Sequence, residues 1–201
     1  MKKVMLSAAV CAMAFSANAD VAQDVEAIEV AQTSAFNSIY AGLGIGGSFL
    51  KCDDLKANRF MGSFVLGGGK VFKNNVYAGA EVLCDAMKTK KWKNNDGSSD
   101  QTNGFIPQID AKVGYVFKND ALVYGKLGCA WSKIASYNSK GDKTYSKSKA
   151  SVVLGLGAEK AFCKKFSAAF EGDYNFGWKD NGVRNNKGWT VRALVKYNVK
   201  Y

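Results

Sequence analysis

Residues 105–131 read FIPQIDAKVGYVFKNDALVYGKLGCAW, two alternating stretches on either side of Lys118-Asn119-Asp120. Every second residue of the first stretch (Phe105, Pro107, Ile109, Ala111, Val113, Tyr115, Phe117) is apolar, and the opposite parity carries Asp110, Lys112 and Gly114. A period of two is that of a β-strand, whose successive side chains point to opposite faces. The second stretch repeats it: Ala121, Val123, Gly125, Leu127, Cys129 and Trp131 oppose Tyr124, Lys126, Gly128 and Ser132. Lys-Asn-Asp between them predicts a tight hairpin, because Asn and Asp tolerate positive φ and bond their own backbone.

The same junction recurs along the chain. VFKNNV at 71–76, VFKNDA at 116–121 and AFCKKF at 161–166 place Phe at 72, 117 and 162, a step of 45 residues. A fixed period signals a repeated structural unit. Between these junctions lie longer polar segments at 51–58, 88–104, 136–149 and 179–187. Eight strands remain, at 38–50, 59–72, 76–87, 105–117, 121–134, 150–162, 166–178 and 189–201. Each reaches the roughly 9 to 11 residues that a tilted strand needs to cross hydrocarbon. Alternation of short turns with long loops predicts an all-β fold: an eight-stranded antiparallel transmembrane β-barrel with short periplasmic turns and longer extracellular loops.

The faces agree with that reading. Val76, Ala78, Ala80, Val82 and Cys84 alternate with Tyr77, Gly79, Glu81, Leu83 and Asp85. Ala168, Phe170, Gly172, Tyr174, Phe176 and Trp178 oppose Ser167, Glu171, Asp173 and Asn175. On the last strand Val191, Ala193, Val195, Tyr197, Val199 and Tyr201 oppose Arg192, Lys196, Asn198 and Lys200. Charges assigned to the outer face, Arg59, Lys88, Lys133 and Lys160, fall at the rims, where long side chains can snorkel. At mid-bilayer one would cost about 2 to 4 kcal/mol. A soluble lipocalin-like barrel would show the reverse, an apolar lumen and a polar exterior.

An eight-stranded barrel is just wide enough to be filled by side chains. The expected filling is a polar network of Lys70, Glu81, Asp85, Asp110, Lys112, Lys126, Glu159, Glu171, Asp173, Arg192 and Lys196, beside Tyr40 and the small residues Gly42, Gly44, Gly46 and Ser48. Mixed signs on neighbouring strands supply the partners that buried charges need.

The 201 residues contain one Pro and no His, and suit a single barrel domain. Lys2-Lys3, the run VMLSAAVCAMAF and Ala17-Asn18-Ala19 have the layout of a cleaved signal peptide over 1–19. Residues 20–35, DVAQDVEAIEVAQTSA, are expected to form a periplasmic lead-in, with Val21, Val25 and Ile28 on one face of a brief helix. The barrel would occupy 36–201, in the outer membrane of a Gram-negative envelope. Net charge is +11; without Lys2 and Lys3, and setting aside Asp20, Asp24, Glu26 and Glu29, the part from Phe36 on carries +13. For an exported protein that excess suits lipopolysaccharide or a host or surface polyanion rather than nucleic acid.

Enzymatic chemistry has little support. Without His, the commonest general base at neutral pH is missing and a Ser-His-Asp arrangement is impossible. No Cys-x-x-Cys pair occurs, so no metal site or cofactor is expected. Cys84 and Cys129 are placed outward on non-neighbouring strands and Cys163 in a turn at the opposite end from Cys52, which argues against disulfides. Gly67-Gly68-Gly69-Lys70 lacks the spacing and the Ser or Thr of a phosphate loop.

AKVGYVFKNDALVYGKLGCAW (111–131) resembles the fourth strand, turn and fifth strand of the outer membrane protein A transmembrane domain, and LGLGAEKAFCKKFSAAFEGDY (154–174) resembles its sixth-to-seventh hairpin. The pattern extends through most of 36–201. The resemblance implies that Glu81, Lys112, Lys126 and Glu159 belong to the family's lumenal charged network. Ala169 stands where the family has a lumenal Arg, so the pairing must differ here. No peptidoglycan-binding domain is expected, so the likeness is to the small single-domain members, which implies a role in envelope integrity, adhesion or evasion of host defence.

The expected function is therefore a non-enzymatic barrel with a plugged lumen that makes surface contacts through basic outer loops. Lys88, Lys90, Lys91, Trp92 and Lys93 form the first candidate contact; a narrow pore for ions or small solutes is the alternative. Tyr197, Val199 and Tyr201 resemble the C-terminal signal read by the barrel assembly machinery. Deletion of Tyr201 is expected to impair insertion in cells more than the stability of the refolded barrel. Outer-membrane fractionation checks the first and urea unfolding the second.

Overall fold

The computed structural model describes residues 34–52, 55–88, 90–93, 99–102, 104–137, 143–177 and 187–199. The expected signal peptide, residues 20–33 of the lead-in, and Lys200 and Tyr201 lie outside the described residues. Among the described residues ten strands form: β1 Ser38–Cys52, β2 Leu55–Val71, β3 Val76–Met87, β4 Lys90–Lys93, β5 Ser99–Thr102, β6 Phe105–Phe117, β7 Ala121–Tyr137, β8 Lys143–Ala161, β9 Phe166–Asn175 and β10 Lys187–Val199. Eight of them pair antiparallel in the order β1-β2-β3-β6-β7-β8-β9-β10. The last returns onto the first, from Ile39↔Val199 to Lys51↔Lys187, and closes the barrel.

The 45-residue period is the step from one turn to the next. At the first two turns Asn75 and Asp120 take positive φ, 59° and 56°. The last residue of each turn also offers its carbonyl to the neighbouring hairpin: Val116 N–H donates to Asn75 O at 2.8 Å, Ala161 N–H to Asp120 O at 3.0 Å and Asn198 N–H to Lys165 O at 2.7 Å. These bonds carry the strand ladders across the turns, so this rim is hydrogen-bonded around three of its joints.

At the other rim the strands run longer than expected. Segments 51–58 and 136–149 are expected as loops, yet β1 and β2 pair out to Cys52↔Leu55 and β7 with β8 to Tyr137↔Lys143. Backbone pairing needs no alternation of polarity, so the strands continue past the point where the period-two signal fades. Within 88–104, β4 and β5 form a hairpin joined through Thr102↔Ile134 to the outer end of β7.

The outer face is apolar. On β6, Phe105, Ile109, Val113, Tyr115 and Phe117 are exposed. Phe105 to Phe117 spans roughly 40 Å of strand, or about 28 Å of height at a tilt near 45°, close to the apolar band of membrane barrels. Aromatic pairs mark both ends of it. Tyr115–Phe117 and Phe166–Tyr197 have centroids 5.2 Å apart near the turns, and Tyr174–Phe176 and Tyr174–Trp189 lie at 4.9 Å at the opposite end.

The face assignment of β2 needs correcting. Met61, Ser63, Val65 and Val71 are buried while Phe60, Phe64 and Leu66 are exposed, so Arg59 points inward and Lys70 outward, the reverse of the expectation. Apolar residues occupy both parities of this strand and Gly67-Gly68-Gly69 carries no side chains, so polarity could not set its register.

The lumen is not wholly polar. Val65, Leu83, Ala169 and Leu194 cluster with Tyr40, and the mouth beside the turns is filled by Ala35, Phe36, Val71, Tyr77, Val116 and Leu122. Ser34 and Ala35, expected in the lead-in, are thus buried; Ser38 Oγ donates to Ala35 O at 3.1 Å and Phe36 packs edge-on against Tyr77 at 6.5 Å.

Glycines make this filling possible. A Cβ on Gly42 would meet Val65 Cγ1 at 2.9 Å, and one on Gly46 would meet Met61 Cε at 2.9 Å. Gly157, across from Tyr124, would place a Cβ 2.5 Å from the Tyr124 Cζ, whereas one on the outward Gly172 meets nothing within 4 Å. Gly157→Ala is expected to cost about 1 to 3 kcal/mol by overpacking. Gly172→Ala is expected to change stability by less than about 0.5 kcal/mol. Urea unfolding of both variants in lipid vesicles measures the contrast.

Candidate functional site

The candidate site is the charged layer of the lumen, built by inward positions of β3, β6, β7, β8, β9 and β10. Glu171 is its hub. Its Oε2 lies 2.6 Å from Lys126 Nζ and 3.5 Å from Arg192 Nη1, and its Oε1 lies 3.1 Å from Lys112 Nζ and 4.0 Å from Lys196 Nζ. Tyr124 Oη donates to the same Oε1 at 2.5 Å. One carboxylate thus meets four cations from three strands, β6, β7 and β10, of which only β10 is adjacent to β9.

Around the hub each charge has further partners. Lys112 pairs with Glu81 at 2.6 Å, and Tyr40 Oη donates to Glu81 Oε2 at 2.9 Å. Lys126 also reaches Asp173 at 3.1 Å and Asp110 at 3.4 Å. Arg192 bridges Asp173 and Asp85, the latter at 2.8 Å, and Ser63 Oγ donates to Asp85 at 2.6 Å. Gln108 Nε2 donates to Asp110 at 2.8 and 2.9 Å. Lys112 also lies 4.3 Å from the Tyr124 ring centroid and Lys196 4.7 Å from that of Tyr40, within cation–π range.

Nearer the turns a second group closes the layer. Lys196 Nζ pairs with Glu159 at 2.7 Å, Ser167 Oγ donates to Glu159 at 2.6 Å and Asn198 Nδ2 to Ser167 Oγ at 3.2 Å. Ala169 is buried beside them, cross-strand from Leu194. The cation that the family resemblance would put at position 169 is absent, and Glu159 takes its partner from β10 instead.

Glu81, Asp85, Asp110, Lys112, Lys126, Glu159, Glu171, Asp173, Arg192 and Lys196 are all between 0% and 6% exposed, and all sit in this one layer. Lys70 is not part of it. The neutral members, Tyr40, Tyr124, Ser63, Gln108, Ser167 and Asn198, carry no sign to draw attention in a sequence, although the parity of their strands points them inward. Arg59, expected on the outer face, is buried at the outer end of β2. Cys84, Cys129 and Cys163 are free thiols, and β6 separates the strands of the first two. Lys88 is exposed; Lys90–Lys93 is described as strand β4. Tyr197 and Val199 lie on the outer face at the end of β10.

Such a barrel, closed, apolar outside and charged within, defines a transmembrane protein of the outer membrane. The chain belongs to the outer membrane protein beta-barrel domain family, whose model matches residues 6–199. Among solved structures it is similar to Ail, the attachment invasion locus protein of Yersinia pestis, in complex with the heparin analogue sucrose octasulfate. That match has a TM-score of 0.57 at 16% identity and covers 81% of this chain and 99% of Ail. It is also similar to Neisserial surface protein A, with a TM-score of 0.60 at 12% identity, covering 80% and 97%. No curated protein is significantly similar in sequence.

Removing one partner from a buried ionic cluster leaves the others uncompensated, at a cost of about 3 to 5 kcal/mol. Glu171→Gln is expected to lose that much in urea unfolding. Lys70→Gln, on the outer face, is expected to change stability by less than about 0.5 kcal/mol.

Proposed function

We propose that the protein is a non-enzymatic surface protein that helps hold the envelope together and meets anionic polymers through its basic outer loops. One observation carries this reading. The lumen layer sets six carboxylates (Glu81, Asp85, Asp110, Glu159, Glu171, Asp173) against four cations (Lys112, Lys126, Arg192, Lys196). The +13 of the region from Phe36 on therefore resides outside that layer. Much of it lies at the outer strand ends, on Lys88, Lys90, Lys91, Lys93, Lys133 and Lys187.

Cations at this rim suit the phosphates of lipopolysaccharide or the sulfates of a host polymer. The likeness to a barrel solved with a heparin analogue supports the same class of partner. Trp92, among these lysines, would add an amphipathic contact. The absence of His from the sequence favours a binding role over hydrolysis. Tyr197, Val199 and Tyr201 would be the segment read by the assembly machinery.

A plugged lumen is favoured over a narrow pore because a water-filled path would leave lumenal charges accessible. The refolded protein is expected to be silent in planar bilayers; stable conductance steps would support the pore instead. Replacing Lys88, Lys90, Lys91 and Lys93 with Gln is expected to weaken binding to heparin or lipopolysaccharide by up to about a thousandfold, taking about 1 kcal/mol per lysine near an anionic surface. Unchanged retention on heparin and unchanged lipopolysaccharide binding would reject the loop contact.

A further inference from the structure

The 45-residue repeat does more than turn the chain: it sets a lysine beside an outward aromatic at each short turn. Lys73 follows Phe72, Lys118 follows Phe117, and Lys164 and Lys165 follow Phe162. All these side chains are exposed, and Lys70 and Lys160 add exposed cations just before the first and third turns. Asp120 is the one exposed acid among the described residues of these turns and their flanks, and it occupies a positive-φ position. Lys196 and Glu159 lie at the same level but are buried and paired with each other.

Two features choose between partners. First, the lysines are spread over three joints, β2–β3, β6–β7 and β8–β9, around the circumference. A folded protein docks on one side of a barrel, whereas a bilayer leaflet surrounds it. Second, the lysines sit level with the exposed rings of Phe72, Phe117, Phe162, Phe166 and Tyr197, on the outer wall. Aromatic rings of this kind mark the headgroup level, and a lysine stem can lie along the wall while its ammonium reaches the phosphates.

We propose that this lysine ring binds the anionic headgroups of phospholipids in the periplasmic leaflet, seating the inner rim of the barrel there. The ring is separate from the outer-loop lysines and acts on a different leaflet. Phosphatidylglycerol is a suitable probe.

The test uses the full mature chain refolded in phosphatidylcholine vesicles with a trace of spin-labelled phosphatidylglycerol or phosphatidylcholine. Electron spin resonance reads the fraction of each held at the protein wall. The unaltered protein is expected to prefer phosphatidylglycerol by about fivefold or more, as about 1 kcal/mol per lysine near an anionic headgroup implies. High salt should reduce the preference.

Changing Lys70, Lys73, Lys118, Lys160, Lys164 and Lys165 together to Gln should bring the ratio close to one. Changing Lys88 and Lys133 at the outer rim should leave most of it. Heat-modifiable migration on gels confirms that each variant is folded. A preference that survives the inner-rim changes, or disappears with the outer-rim ones, overturns the proposal. So does binding of the protein to isolated peptidoglycan that is lost in the inner-rim variant while lipid selectivity stays the same; that result would make the cell wall the partner. None of these outcomes depends on whether the outer loops bind a polyanion.

Discussion

Hydrocarbon offers a peptide group no hydrogen-bond partner, and each group left unsatisfied there costs several kcal/mol. Every large feature of this chain follows from that constraint. The sheet has to close, and β10 closes it along the whole paired length of β1. Closure at eight strands leaves a lumen too narrow for anything but side chains. Those side chains come from the one parity that lipid does not claim, so the charges the outer wall excludes accumulate inside.

Charge in so confined a space is stable only when paired, and the lumen meets that demand with a hub. Glu171 gathers four cations, and Tyr40 and Tyr124 add hydroxyl donors to Glu81 and Glu171. Small residues opposite large ones let the layer pack: Tyr124 lies over Gly157, and Val65 and Met61 over the glycines of β1. With alanine at position 169, β10 provides the cation that Glu159 requires.

Much of this was legible in the sequence, and unevenly. On β3, β6, β7 and β9 one parity is apolar and the other polar, so lipid and lumen faces could be separated by reading alone. On β2 Phe60, Met61, Phe64 and Val65 blur the parities, and Arg59 and Lys70 came out on the wrong faces. The outer ends of β7 and β8 were hidden for another reason: backbone pairing continues there through polar sequence without alternation, and backbone pairing has no sequence signature. Which carboxylate would serve as the hub was also beyond reach. Glu81, Glu159 and Glu171 are alike in pattern, and only the stagger between strands puts Glu171 within reach of all four cations.

The bonds that tie Asn75, Asp120 and Lys165 to the next hairpin act as a hoop around the periplasmic end. An inserted residue in any of these turns would pull its carbonyl out of the hoop and disturb two hairpins at once. The outer end has a different architecture, with β1 and β2 extended as one pair and the β4–β5 hairpin joined to the extended β7–β8 pair. Change there stays local. One molecule therefore combines a conserved-by-geometry base with a freely editable crown, and what it displays outside can diversify without loosening its hold on the membrane.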